Sequence, residues 1–277
     1  MSALVKYYFF PVAAVILLLV GCHGETKSKE MVQQQSHGQL TDAQGWSLGA
    51  SALLNERNHV SHDTLSMLPM SERNIRDTKR LIRQGWGIES RDDLFEQLLK
   101  LHIQGHRAGF EYLGAYVTGL TEEGYNALLK EVEGYDDALN EVRIVKRYYN
   151  ELGSKSILGW DYSRYICLCR WGYHVGYLGE DEAWEMIMEA ARILQERFDS
   201  WEDLGRNYII GRQYWSYKDT QEDGELYEDA FMRLMDMKSS PWNRYAWDTD
   251  LGSGQMADKN RVDVALTGQD ENKRLEK

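Results

Sequence analysis

The chain has 277 residues, 43 % hydrophobic and 27 % charged, which excludes a low-complexity or collagen-like chain and supplies the apolar side chains for a sizeable core in one main domain. Its formal net charge of −12 argues against nucleic acid or anionic lipid headgroups as partners, because binding them relies on positive charge, and no lysine- or arginine-rich patch overrides that balance. Pro11, Pro69 and Pro241 are the only prolines, so long uninterrupted helices are permitted between the last two.

The N-terminus, "MSALVKYYFFPVAAVILLLVGC", has one lysine, an apolar run, and Leu19, Val20 and Gly21 immediately before Cys22. It resembles a bacterial lipoprotein signal peptide, in which an aliphatic residue, a small or aliphatic one and a small one precede the lipidated cysteine. The competing reading is a transmembrane helix from Tyr7 to Gly21. About fifteen residues at ~1.5 Å each reach only ~22 Å, against a hydrocarbon core of ~30 Å, which suits a cleaved signal better than a span. On this reading residues 1–21 are removed and Cys22 becomes the acylated N-terminus. Its chains would hold the membrane at ~0.8 kcal/mol per buried methylene without a basic patch. His23 stands where an aspartate would resemble an inner-membrane retention signal, so the expected location is the bacterial cell envelope, at the outer membrane facing the periplasm. Residues 22–42 are polar and read as a flexible tether, 43–250 as a helical domain and 251–277 as a disordered polar tail.

Within the domain, "DAQGWSLGASALLNERN" places Trp46, Ala50, Leu53 and Leu54 on one side at helical spacing behind a Thr41 or Asp42 cap. A loop, "HVSHDTLSMLPM", leads to a charged helix, "ERNIRDTKRLIRQGWGI", ending near Gly85. Ser90 with Asp93, Thr121 with Glu122 and Glu123, and Ser200 with Asp203 mark helix starts, where a side-chain oxygen takes up orphan N–H groups and acids meet the positive end of the dipole. "YDDALNEVRIVKRYYNEL" and "EDEAWEMIMEAARILQERF" repeat apolar residues at steps of three and four and are amphipathic helices. "ELYEDAFMRLMDM" is the last, stopped by Pro241. With no alternating strand of useful length, the expected fold is all-α, a single domain of roughly eight helices.

The stretch "GWDYSRYICLCRWGYHVGYL", Gly159 to Leu178, is the one that most resembles chemistry. At 100° per residue it is apolar round most of its circumference, as a central bundle helix would be, with Asp161 and Arg164 spaced i,i+3 on an otherwise buried stripe. Two readings follow. Asp161 and Arg164 form a buried, hydrogen-bonded pair, or Arg164 or Arg170 clamps an anion with Asp161 as acid, base or orienter. Adding Arg212, the candidate catalytic set is Asp161, Arg164, Arg170 and Arg212. Cys167 and Cys169 lie about 200° apart on a helix, which suits neither a disulfide nor a C-x-x-C redox motif, so they read as free thiols. His102 and His106 have the i,i+4 spacing of helical metal ligands, but Ile103 replaces the glutamate of H-E-x-x-H and Gly105 makes the local helix less certain, leaving a solvated or hydrogen-bonded pair as the preferred reading. No metal is expected, since there is no second cysteine pair and no convincing histidine pair, and no cofactor either, since there is no glycine-rich phosphate loop; nor is there a G-x-S-x-G elbow.

"WGI" from Trp86, "GHR" from Gly105, "GWDYSRYICLCRWGYHVGYLGEDEAW" ending at Trp184, "SWEDLGRNYIIGRQYW" ending at Trp215 and "SPWNRYAW" ending at Trp247 are similar to the successive motifs of the bacterial family known as domain of unknown function 1266. The resemblance runs from about Gln44 to Asp248. It implies no established activity and no catalytic residues to carry over. It marks Trp160, Asp161, Arg164, Arg170, Gly211, Arg212 and Trp247 among the motif positions, and leaves His174 and the cysteines between them. The expected function is therefore a non-enzymatic envelope lipoprotein that binds another protein, as a neutraliser of an incoming toxin or an accessory subunit of an envelope complex. The alternative is a hydrolase or transferase acting on an anionic envelope substrate.

Overall fold

The structure, a computed structural model, describes residues 40–252. The apolar N-terminal segment, Cys22, the polar stretch through Gln39 and the tail from Ser253 onward lie outside the described residues. Local capping sets where most helices begin. The Thr41 hydroxyl accepts from the Gln44 amide, and the Gln44 side chain returns a bond to the Thr41 amide, opening α1 (Asp42–Gly49). Ser90 and Asp93 form the same reciprocal box before α4 (Arg91–Ile103). Thr121 caps α6 (Glu122–Glu131) and Ser200 caps α10 (Trp201–Trp215). Each such cap stabilises its helix by about 1 kcal/mol.

The remaining elements are α2 (Ala52–Arg57), α3 (Glu72–Trp86), α5 (Arg107–Thr118), α7 (Asp136–Leu152), a 3-10 turn (Gly153–Lys155), α8 (Leu158–His174), α9 (Glu180–Arg197), α11 (Tyr217–Asp236) and α12 (Pro241–Arg244). The all-α expectation is borne out: no strand occurs among the described residues. The helical segments outnumber the roughly eight expected, chiefly because α5 carries no capping side chain of its own and α2 and α12 are single turns or little more. Ser216 alone separates α10 from α11 and caps the latter, so α11 starts eight residues ahead of the "ELYEDAFMRLMDM" pattern.

Helix α8 is the axis of the domain. Every residue from Gly159 to Arg170 is buried, and burying a side chain such as Ile166 or Leu168 stabilises the fold by about 1.5–3 kcal/mol. The helix packs against α9, α10 and α4. Its approach to α10 depends on Gly211, where an added Cβ would stand 2.2 Å from the Cβ of Trp160. The polar strip of α8 is buried too, because the segment before α3 covers it. Ser163 donates to the Ala50 carbonyl at 2.7 Å, and the Ser66 hydroxyl meets His174 Nδ1 at 2.7 Å.

Four tryptophans join the two ends of the described chain. Trp46 packs against Trp201 and Trp247, with ring centroids 4.6 and 5.0 Å away, and Trp201 stacks on Trp242 at 6.0 Å. Each indole N–H donates to a carbonyl: Trp46 to Trp247, Trp201 to Tyr245, Trp242 to Gly49 and Trp247 to Phe198. Large apolar rings are thus buried without leaving a polar N–H unpaired. No helix among the described residues is long and apolar enough to cross a membrane.

Candidate functional site

Between α4 and α5 the chain breaks over Gln104, Gly105 and His106. Both helix ends there leave backbone groups that need partners. Asp161, fully buried in the first turn of α8, supplies them for α5. Its Oδ1 accepts from the His106 amide at 2.9 Å, and its Oδ2 from the Arg107 amide at 3.1 Å. The carboxylate is a capping group delivered from another helix to the positive end of the α5 dipole. Gly105 makes the approach possible: its φ is +57°, and a Cβ there would lie 2.0 Å from Asp161 Oδ2.

Two guanidinium groups complete the carboxylate. Arg164 Nη2 donates to Oδ1 at 2.7 Å and Arg107 Nη1 to Oδ2 at 3.0 Å. Arg107 also donates to the carbonyls of Leu101 and His102 at the end of α4. One side chain therefore closes α4 and another opens α5, and the two form an ion pair. Arg164 donates through Nε to the Trp160 carbonyl and lies over the Trp160 ring, 4.1 Å from its centroid. Cation–π contact adds to the pairing.

His106 sits at the half-buried edge of this network, stacked on Trp160 and Trp215. Its Nδ1 receives the Trp160 indole N–H at 2.9 Å and Arg164 Nη2 at 3.0 Å. Both partners are donors only, so Nδ1 carries the lone pair and the neutral ring holds its proton on Nε2. Burial, and then the neighbouring Arg164 charge, push its pKa well below the ordinary histidine value. His102 lies in the last turn of α4 and meets the Tyr162 hydroxyl at 3.2 Å instead. The two histidines therefore belong to opposite sides of a helix break and face different partners.

The other candidates lie elsewhere. Arg170 is fully buried, and donates through Nε to the Leu65 carbonyl and through Nη2 to those of Ser61 and Thr64. It ties the 58–70 segment to α8, and burial lowers its pKa to about 10. Arg212 on α10 pairs with Asp223 of α11, which Arg57 also contacts at 3.3 Å, and stacks on Tyr227 at 4.2 Å. Cys167 and Cys169 are free and buried, and burial raises the Cys167 thiol to about 11, far from the thiolate range of a reactive cysteine.

The expected Asp161–Arg164 pair is present, but Arg170 and Arg212 belong to two further networks rather than to one cleft. Gly105, His106 and Arg107, which complete the Asp161 centre, were not among the expected site residues. Their signal was a helix start after "QGH" that lacks a Ser, Thr, Asp or Asn cap of its own.

Residues 81–247 match the model of a family described as protein of unknown function (DUF1266). The chain is similar to the uncharacterized protein YbeU of Escherichia coli K12, 25 % identical over 190 residues that cover 68 % of this chain and 77 % of YbeU. It is also similar to the uncharacterized protein YbeR of the same organism, 28 % identical over 151 residues, or 52 % of this chain and 60 % of YbeR. No solved structure matches the chain.

Proposed function

The chain belongs to the DUF1266 family of proteins of unknown function, and from that premise we propose that it is a non-enzymatic protein-binding module, held to the cell envelope by acyl chains on Cys22, at the outer membrane and facing the periplasm. The observation that carries binding over catalysis is the employment of the acid and the arginines. Asp161, Arg164, Arg170 and Arg212 are all buried, the first three bonded to helix ends, loop carbonyls or each other and Arg212 paired with Asp223. A hydrolase or transferase built on them would need the four to converge on an open cleft, whereas they lie in three networks.

The outward side of α5 offers a different surface. Ala108, Tyr112, Ala115, Tyr116 and Gly119 are exposed along it with no charged residue among them. Tyrosine provides large contact area at small conformational cost, which is why it is enriched where proteins meet. In-cell crosslinking of the wild type should capture one envelope protein, and Tyr112→Glu with Tyr116→Glu should abolish that capture with the far-UV circular dichroism unchanged. Failure of the wild type to capture any partner, or equal capture by the variant, removes the reading. For the anchor, labelled fatty acid should enter the wild type and not Cys22→Ser; equal labelling removes the anchor.

A further inference from the structure

Helix α3 reverses the charge of the chain. Thr78 and Ile82 are buried, with Ile75 and Leu81 half-buried beside them, so the side left to solvent is the opposite one. Arg73, Arg76, Arg80 and Arg83, at steps of three and four, fall on that side with Lys79 next to them, and all five are exposed. The row is about 15 Å long at ~1.5 Å per residue. In a chain of formal net charge −12, whose balance gave no reason to expect a basic face, this helix is a local exception.

The nearby acids do not cancel it. Glu72 and Asp77 are on the helix and Glu89 follows it; with all three counted, the stretch from Ser71 to Ser90 still holds more cations than acids. Arg76 reaches Glu72 at 3.4 Å, and Asp77 is shared between Arg80 at 3.0 Å and Arg73 at 3.8 Å. The side chains of Arg73, Arg76 and Arg80 nevertheless stay 86, 69 and 53 % exposed, and pairs so open to water are weak and easily exchanged for another anion. Lys79 lies over the Tyr177 ring, and neither it nor Arg83 enters an ion pair among the described residues. The guanidinium fork matches the paired oxygens of a phosphate.

Two features select the occupant. No apolar side chain is among the exposed positions of α3, so the face lacks the aromatic or aliphatic anchors that carry protein–protein binding, whereas a charged surface needs none. Residues 22–39, which would link an acylated Cys22 to α1, reach at most about 65 Å when fully extended, so the domain stays close to the headgroups. Acids on the far side of the domain are screened beyond a Debye length of ~8 Å, and the local face governs contact with a surface that it touches. We propose that α3 is a second, electrostatic contact with the membrane, its arginine row lying against the headgroups of an anionic phospholipid layer. This contact rests on the anchored reading, because the tether delivers the domain to the surface, and is separate from the exposed side of α5.

Arginine footprinting tests it. The full-length protein is reconstituted on vesicles of phosphatidylcholine, alone or with phosphatidylglycerol, and modification by p-hydroxyphenylglyoxal is followed at each arginine by mass spectrometry. Arg76, Arg80 and Arg83 should react about threefold more slowly, or slower still, on the anionic vesicles at ~0.1 M salt, since each cation near such a surface is attracted to it. The difference should vanish at ~1 M salt, where the Debye length is ~3 Å. The exposed Arg143 and Arg147 of α7, in the same molecules, should react alike on both vesicles. Equal rates for the α3 arginines on the two vesicles, equal slowing of the α7 arginines, or slowing that survives high salt overturns the proposal. Slowing relative to detergent micelles that is the same on both vesicles also overturns it, and assigns the face to a protein contact such as a second copy. Flotation with pure phosphatidylcholine vesicles reads the anchor separately. Protein that does not float there is footprinted after addition to the anionic vesicles in solution, under the same criteria, so failure of the anchor and failure of this face are told apart.

Discussion

Asp161 carries more of this fold than any other charged residue, because four N–H donors from two helices end on its two oxygens. Removing its charge leaves Arg107 and Arg164 without a counter-ion in a dry site, and breaking a buried pair from one side costs about 3–5 kcal/mol. Asp161→Asn should therefore lower the unfolding free energy by about that amount in urea titration; a loss under about 1 kcal/mol would mean that the centre does not hold the α4–α5 corner. Gly105→Ala should fail in the same direction by about 2 kcal/mol or more, since it meets both a positive φ and the Asp161 carboxylate. The i,i+3 spacing of Asp161 and Arg164 was legible in the sequence because it lies within one helix. The bonds to His106 and Arg107, 55 and 54 residues away, had no local spacing to announce them.

Among the elements, α5 and α7 differ in how they meet the core. The N-terminus of α5 has no side-chain cap of its own, so its start depends on α8 being in place. Helix α7 carries Glu141, whose pKa is raised to about 7 by burial and then by Asp137 one turn earlier. The folded state thus holds the Glu141 proton more tightly than the unfolded chain. Its contribution to stability is full below the unfolded value of 4.5 and is lost as pH rises toward about 7. Glu141→Gln, which stays neutral, should flatten that slope and stabilise the protein relative to wild type above pH 7 by up to about 3 kcal/mol. Parallel wild-type and variant slopes between pH 5 and 8 in denaturant unfolding would overturn this.

For the whole molecule, the tryptophan cluster is the decisive contact, since it joins α1 to the segment after α12 through Trp46, Trp201, Trp242 and Trp247. A domain closed on itself in this way should unfold as a unit. Tryptophan fluorescence and far-UV circular dichroism should give coincident urea transitions; separated midpoints would mean that the ends open before the α8 core. Within that unit stability is uneven. Helix α6 has no fully buried residue, whereas α8 is buried along most of its length. Amide exchange should be fastest in α6 and slowest in α8, and equal protection of the two would contradict the packing.

The sequence by itself determined the helix class, the starts at Ser90, Thr121 and Ser200, and the central position of the Gly159–Leu178 stretch. These follow from capping within one turn and from the 3.6-residue period, which a chain displays locally. Only the tertiary structure decided that Arg170 and Arg212 leave the Asp161 centre and that Gly105 and Arg107 enter it. The physical reason is the same in each case. A buried charge takes its partner from whichever element packs against it, and in this fold that partner lies as far as 166 residues along the chain.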